Sequence, residues 1–202
     1  MNVVVLGATG KVGRRIVDEL LRRGHRVTGV ARGGGDIDTP GVNGVSIDAS
    51  DLGALTGAIA GHDAVISAMH FHGSSMRCLL PAVRRTGTGR LLVVGGAGSL
   101  FVAPGVRLLD TPNFPASYRD EALAGAAVLD ELRSVTDIEW TFLSPSIVFG
   151  PGERTGVFRL GDDSLLTGAG GKSAISYEDF AVGLVDELEQ PAHSGHRFTI
   201  GY

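Results

Sequence analysis

Four apolar residues, Val3-Val4-Val5-Leu6, run straight into the turn Gly7-Ala8-Thr9-Gly10-Lys11-Val12-Gly13, and no other stretch limits the possible folds as tightly. An apolar run without polar alternation is what a strand buried on both faces of a parallel sheet requires. Beyond the turn, Val12, Ile16, Val17, Leu20 and Leu21 form the stripe of an amphipathic helix, and Gly24 stands where that helix should stop. Between strand and helix each glycine has a separate use. Gly7 permits the sharp exit from the strand, Gly10 clears the side where a phosphate would approach the backbone, and Gly13 lets the helix pack close to the sheet. The N–H groups of Lys11, Val12 and Gly13 would then face an anion, aided by the helix dipole. Strand-to-helix turns also use glycine for geometry alone, so the surroundings decide its meaning.

Those surroundings alternate. Arg26 to Ala31 reads as a second strand, and glycines 33 to 35 open a loop. Val45 to Ile47 reads as a short third strand, and Asp51 is placed to cap a helix carrying Leu52, Leu55 and Ile59. Strands over Ala64–Ala68 and Leu91–Val94 flank a helix over Met76–Arg85. A helix over Ser117–Arg133, a strand over Trp140–Leu143, a helix over Tyr177–Leu188 and a strand over Arg197–Ile200 complete the order. Two stretches, Gly95–Pro115 and 144–174, lack regular periodicity, and irregular segments of that length in folded domains are usually functional. The expected fold class is α/β, a Rossmann-type doubly wound parallel sheet. A single domain over 1–202 is expected, with 144–174 as a small C-terminal region on the substrate side. The 31 glycines in 202 residues, about twice ordinary usage, suit a chain of many tight turns.

Charge and cysteine content narrow the function classes. The formal net charge is −4, and the pairs Arg14-Arg15, Arg22-Arg23 and Arg84-Arg85 are scattered along helices instead of forming the basic patch that nucleic acid demands. Neither nucleic acid nor membrane is expected as a partner, since no apolar run reaches the ~18–20 residues of a membrane span. The first strand begins at Asn2, leaving no room for a leader, so a cytoplasmic location is expected. Cys78 is the single cysteine, which excludes a disulfide within the chain. His70-Phe71-His72 follows the fourth strand and can be read as a loop, a stacking contact or a metal pair. Two histidines two residues apart in a loop make a poor fixed geometry, and no metal is expected. His193 and His196 read as solvated residues of a terminal turn. No feature argues for an obligate dimer, and a monomer or weak homo-oligomer is expected.

Ligands of this sheet type lie over the carboxyl ends of the strands. The backbone of Ser67-Ala68-Met69, ending strand four, would line a ribose and pyrophosphate, and Gly95-Gly96, ending strand five, would lie near a second ribose. NAD-specific sites place an acid at the end of strand two to hold the ribose 2′-hydroxyl; this chain has Arg32 there. A guanidinium binds a 2′-phosphate in a fork, and Lys11 adds a second charge, so the expected cofactor is NADPH. A purely solvent-exposed role for Arg32 is the alternative. Asp36 and Asp38 come too late to serve as the NAD acid.

The turn GATGKVG after VVVL resembles the GxTGxxG signature of atypical and extended short-chain dehydrogenases. LLVVGGAGSL (91–100), DTPNFP (110–115), WTFLSPS (140–146), FGPGERTG (149–156) and RFTIGY (197–202) resemble one branch of them over nearly the full chain. This branch is the small NAD(P)H-binding family similar to NAD(P)H flavin reductases and the animal flavin/biliverdin reductase. The NmrA-like regulators are more distant cousins with the same turn. The resemblance implies that Thr9 belongs to the cofactor turn and that Asp48 contacts adenine, a turn or capping role being equally open. It implies that Pro145 and Ser146 face the nicotinamide carboxamide, and that Ser99 lies near the superfamily's active-site serine as a proton or hydrogen-bond donor, again with a turn role open. The Tyr-x-x-x-Lys pair of ordinary short-chain enzymes has no counterpart, because Tyr118 is followed four positions later by Ala122. That argues against alcohol dehydrogenation and sugar epimerisation. The resemblance therefore implies an NADPH-dependent oxidoreductase passing hydride to a flavin, quinone or similar planar acceptor, with flavin as substrate and not as prosthetic group. The alternatives are a non-catalytic NADP(H)-binding redox sensor of NmrA-like type and, third, a sugar or isoprenoid-type reductase with another donor.

Overall fold

The computed structural model describes residues 1–32, 37 and 39–202, with residues 74 and 75 described by backbone only. The loop glycines 33–35, together with Asp36 and Asp38, lie outside the described residues. The chain packs as two units, one of residues 1–93 with 136–140, the other of 94–135 with 141–202.

The first unit opens with β1 (Asn2–Leu6), α1 (Lys11–Arg22) and β2 (Arg26–Ala31), followed by β3 (Val42–Ser46), α2 (Leu52–Ile59), β4 (Ala64–Ser67), α3 (Ser74–Thr86) and β5 (Arg90–Val94). β1 pairs in parallel with both β2 and β4, β2 with β3, and β4 with β5. The resulting order β3-β2-β1-β4-β5 is that of a Rossmann-type sheet, with the order reversing at β1. The unbroken apolar runs have the explanation expected of them: Val3 to Leu6, Ala64 to Ile66 and Leu91 to Leu92 are wholly buried. α1 turns Ile16, Val17 and Leu20 inward and is closed off by Gly24, two residues beyond its end, whose φ of +79° lets its N–H reach Leu21 O while His25 N reaches Leu20 O. Asp51 caps α2 by accepting from Gly53 N and Ala54 N at 2.8 and 3.0 Å.

The second unit holds the hairpin β6 (Phe101–Ala103) and β7 (Val106–Arg107), then α4 (Arg119–Leu132), β8 (Glu139–Pro145, its last five residues here), β9 (Val148–Gly150), β10 (Arg159–Gly161), β11 (Ala174–Ser176), α5 (Tyr177–Glu189) and β12 (His196–Gly201). β12 runs parallel to β8 from the Thr141–His196 pair onward, whereas β10 joins β12 antiparallel. β9 and β11 form a separate parallel pair. The two stretches expected to be irregular thus contain short strands of two or three residues. α5 buries Phe180, Ala181, Leu184 and Val185, with two acids, Asp179 and Glu187, buried among them.

Buried Asp179 explains how the 150–157 segment is fixed. It accepts from Thr155 Oγ1 at 2.6 Å, Gly156 N at 2.8 Å and Tyr202 Oη at 2.8 Å. A buried carboxylate needs such partners. No helix of the described residues is long and apolar enough to cross a membrane.

Candidate functional site

In the first unit, the Gly7–Gly13 turn sits where β1 meets α1, at the point of strand-order reversal that collects ligands in folds of this kind. Two of its glycines are dictated by the chain's own backbone. A Cβ on Gly7 would lie 2.7 Å from Ala68 O, and Gly7 also has φ +81°. A Cβ on Gly13 would collide with the Gly7 carbonyl. Gly10 differs: its Cβ would meet only Gly7 O, at 3.2 Å, and the residue is exposed. Gly7 N and Ala8 N are both spent on Val30 O, and Gly10 N on Gly7 O. The first amide of α1 to find a backbone acceptor is Arg14 N, on Gly10 O at 3.0 Å.

A helix leaves its first N–H groups without intrahelical partners. Here the N-cap is Gly10, which has no side chain to satisfy them. Among the described residues the amides of Lys11, Val12 and Gly13 have no acceptor. Lys11 and Thr9 are exposed beside them. Partnerless amides at an open helix start, with the helix dipole behind them, fit a diphosphate.

Arg32 follows β2 and Asp48 follows β3, whose last residues Ala31 and Ser46 are paired. Asp48 accepts from Ser50 N at 2.9 Å, which is the turn role the sequence left open. The Ser50 backbone N–H and then the Ser50 hydroxyl hold its carboxyl below the usual carboxylate value, with a smaller pull from the Arg32 charge. Arg32 itself is exposed. At the end of β4 the Ser67 side chain is buried, with Oγ directed to Met76 Sδ at 3.9 Å, so only its backbone can line a groove. Ala68 N is bonded to Leu6 O at 2.8 Å, and Ala68 and Met69 are half-buried. The rings of His70 and His72 stand 6.0 Å apart, and among the described residues no cluster of His, Cys, Asp or Glu could hold a metal ion.

The second unit carries the remaining candidates. Gly95 N donates to Leu143 O at 2.7 Å, and a Cβ at Gly95 would strike the Phe142 ring, so this glycine seats the chain against β8. Gly96 follows, half-buried. Ser99, also half-buried, receives a hydrogen bond from Arg197 Nη1 at 3.3 Å. Pro145 and Ser146 are both buried, and Ser146 Oγ donates to Ile200 O at 3.0 Å. Its hydroxyl therefore faces β12, which limits any ligand contact there to the backbone. Tyr118 lies not within α4 but at its N-cap, 66 % exposed.

Two features escaped the sequence reading. His193 is no freely solvated turn residue: its Nδ1 lies 2.8 Å from Glu187 Oε2 and its ring stacks on Phe198 at 4.0 Å. Arg197 is a buried cation, paired with Asp163. The arginine next to Phe198 in the final strand was the available signal.

A family model described as NAD(P)H-binding matches residues 7–191, from the first glycine of the turn to the end of α5 and just beyond. The chain belongs to the NAD(P)H-binding family. Within it, the Bacillus subtilis protein YwnB is 40 % identical over 210 residues, covering 99 % of this chain and 98 % of that one. A solved structure from Bacteroides thetaiotaomicron, provisionally described as an epimerase, superposes with a TM-score of 0.93 at 39 % identity, covering 100 % of this chain and 96 % of that one. Another from Streptococcus pneumoniae, provisionally described as an NADH-flavin reductase, has a TM-score of 0.88 at 38 % identity, covering 100 % of this chain and 99 % of that one. The Rossmann-type architecture of this NAD(P)H-binding protein is shared with both.

Proposed function

We propose that this NAD(P)H-binding protein is an NADPH-dependent oxidoreductase that delivers hydride to a flavin, quinone or similar planar acceptor. The observation that carries the cofactor half is the uncapped start of α1, where Lys11, Val12 and Gly13 offer amides to a diphosphate. Arg32, exposed just beyond β2, supplies a cation for a 2′-phosphate. When bound, the nicotinamide supplies the hydride, and the chain's part is to bind, orient and stabilise charge. Such acceptors are already electron-poor, so one hydrogen-bond donor suffices, and Ser99 is assigned that role. The Streptococcus pneumoniae relative's provisional name supports this acceptor class. The name borne by the Bacteroides thetaiotaomicron relative points to epimerisation, but Ala122 stands where the lysine of a Tyr-x-x-x-Lys pair would be.

The test is oxidation of NADPH followed by absorbance with FMN, riboflavin, menadione and dichlorophenolindophenol as acceptors, beside a binding titration of NADPH and NADH. Turnover with at least one acceptor is the expected result. Tight NADPH binding with no turnover would favour the redox-sensor reading instead. In the same titration Arg32→Ala should weaken NADPH about tenfold, the loss of one charge-assisted contact, and change NADH by less than about twofold. Equal losses for both cofactors would remove Arg32 from the site.

A further inference from the structure

The second unit buries a cation, the guanidinium of Arg197. The side chain is 1 % exposed, second in the strand β12 and followed by the buried Phe198, Thr199 and Ile200. Burying a cation is expensive, and an apolar residue of similar size is often as stabilising as a buried ion pair. Asp163 supplies the counter-charge: Nε donates to Oδ1 at 2.5 Å, Nη2 pairs with the same oxygen, and Nη2 also donates to the Asp163 carbonyl at 3.4 Å. Asp163 is itself half-exposed and shared with Arg133 at 3.5 Å. Burial alone lowers the guanidinium's affinity for its proton, and the Asp163 contacts work against that. Arginine nonetheless stays protonated at any ordinary pH.

The Nε and Nη2 side of the fork is thus committed to Asp163. The other nitrogen, Nη1, reaches Ser99 Oγ at 3.3 Å and the buried Ser144 Oγ at 3.5 Å. A guanidinium has donors only, so at this contact Ser99 must accept. Its own hydroxyl proton is left to point elsewhere, and among the described residues no acceptor for it is present. The turn around Ser99 cannot swing to find one. Leu109 N is bonded to Gly98 O at 2.9 Å, Leu100 N to Ala97 O at 3.0 Å, and a Cβ on Gly98 would lie 2.7 Å from Ala122 Cβ.

We propose that Arg197 is a positioning residue for the acceptor half of the reaction: by donating to one lone pair of Ser99 Oγ, it turns the Ser99 O–H proton away from the guanidinium and leaves it to donate toward the acceptor. This rests on the oxidoreductase reading above. Hydride transfer breaks the C–H bond of the reduced nicotinamide and forms a new bond to the acceptor, carrying two electrons. Negative charge then builds on the acceptor's conjugated heteroatoms. The Ser99 O–H, polarised by the cation behind it, hydrogen-bonds that charge, and the final proton comes from water. No proton leaves Ser99 and no further reductant is needed.

The experiment measures kcat and KM for NADPH, with the best of the four acceptors, in wild type, Ser99→Ala, Arg197→Met, Arg197→Lys and the Ser99→Ala/Arg197→Met pair. Each variant is also melted thermally, and the Arg197 guanidinium is observed by ¹⁵N-resolved NMR in wild type and Ser99→Ala. Ser99→Ala should lower kcat about tenfold, less than the roughly hundredfold loss seen where a full oxyanion must be stabilised, with KM for NADPH unchanged. Arg197→Met should lower kcat by a similar factor, and the double variant should fall no further than either single one. The Arg197 Nη signals should move in Ser99→Ala. Should Arg197→Met fail to fold, Arg197→Lys decides: one ammonium cannot replace a fork that serves Asp163 and Ser99 at once, so kcat should still fall while the fold is kept. Additive losses in the double variant, a wild-type kcat in Arg197→Lys, or a wild-type kcat in Ser99→Ala would each overturn the proposal. Absence of turnover with all acceptors in wild type would instead overturn the oxidoreductase reading beneath it.

Discussion

Gly13→Ala is expected to weaken NADPH binding about 100-fold or more and to lower the melting temperature by about 5 °C or more. One methyl group can do this because of what it would meet. A Cβ at Gly13 runs into the Gly7 carbonyl, with Gly7 C at 3.0 Å and Ala8 Cα at 3.1 Å, all of it backbone of the same turn. A flexible side chain could move aside; this backbone cannot, because Gly7 N and Ala8 N are tied to Val30 O and Gly10 N to Gly7 O. Overpacking of a fixed site costs about 1–3 kcal/mol, and in a chain of this size each kcal/mol is worth about 2–4 °C. The binding loss is larger because relief of the clash must shift α1 away from β1. The amides of Lys11, Val12 and Gly13 then no longer converge, and two charge-assisted bonds at about 1.5–3 kcal/mol each reach 100-fold. Gly57→Ala is the matched control. Gly57 is an exposed residue inside α2 with nothing within 4 Å of its Cβ position. That substitution should raise the melting temperature by about 2 °C and leave binding unchanged, since alanine is the better helix former. Similar titration curves for Gly13→Ala and wild type would refute the account of the turn.

The first unit was readable from the sequence because its signals are local. An apolar run, a glycine turn and an amphipathic stripe each declare themselves within a dozen residues, and a parallel order follows from their alternation. Where the elements are solvent-facing the boundaries slip. β3 runs from Val42 to Ser46, earlier than the Val45–Ile47 expected, because its exposed residues Asn43, Gly44 and Ser46 hide the period. α3 starts at Ser74 and continues through Pro81, where apolar periodicity alone places the start at Met76. β6, β7, β9, β10 and β11 are too short to have any period, so the stretches 95–115 and 144–174 read as irregular.

The candidate site divides the same way. The amides of the turn were legible because backbone geometry follows from glycine spacing. The directions of hydroxyls were not: Ser146 Oγ turns to Ile200 and Ser99 Oγ accepts from Arg197, each a partner distant in sequence. Arg197 with Asp163 and Asp179 with Thr155 are likewise pairings that no local window contains. Buried polar groups in the second unit are the part of this protein that a sequence pattern conveys least.

Glu187 shows how much such a group can carry. It sits in the last turn of α5, where the helix dipole disfavours a negative charge, yet its side chain is 3 % exposed. Its Oε1 accepts from His193 N at 3.0 Å and Thr141 Oγ1 at 3.2 Å; its Oε2 accepts from Ala192 N at 3.1 Å and faces His193 Nδ1 at 2.8 Å. Burial by itself would raise the carboxyl's pKa, but the bonds from His193 and Ala192 outweigh it and hold the group below the usual value. Glu187→Gln preserves shape and removes one acceptor. If the new amide nitrogen takes the Oε2 place, Ala192 N–H loses its partner; if it takes the Oε1 place, His193 N–H does. Either orientation leaves a backbone donor unsatisfied next to a donor, at a cost of about 2–3 kcal/mol, so the melting temperature near neutral pH should fall by on the order of 8 °C. The pH dependence has a fixed sign. A carboxyl whose folded pKa lies below its unfolded value of about 4.3 contributes its stability fully above that value, and loses it as pH falls through the folded pKa. The gap between wild type and Glu187→Gln should therefore be constant from neutral pH down to about pH 5 and close progressively in more acid solution. A gap that stays open in acid solution would mean that the Glu187 carboxylate is not what holds the chain between α5 and β12.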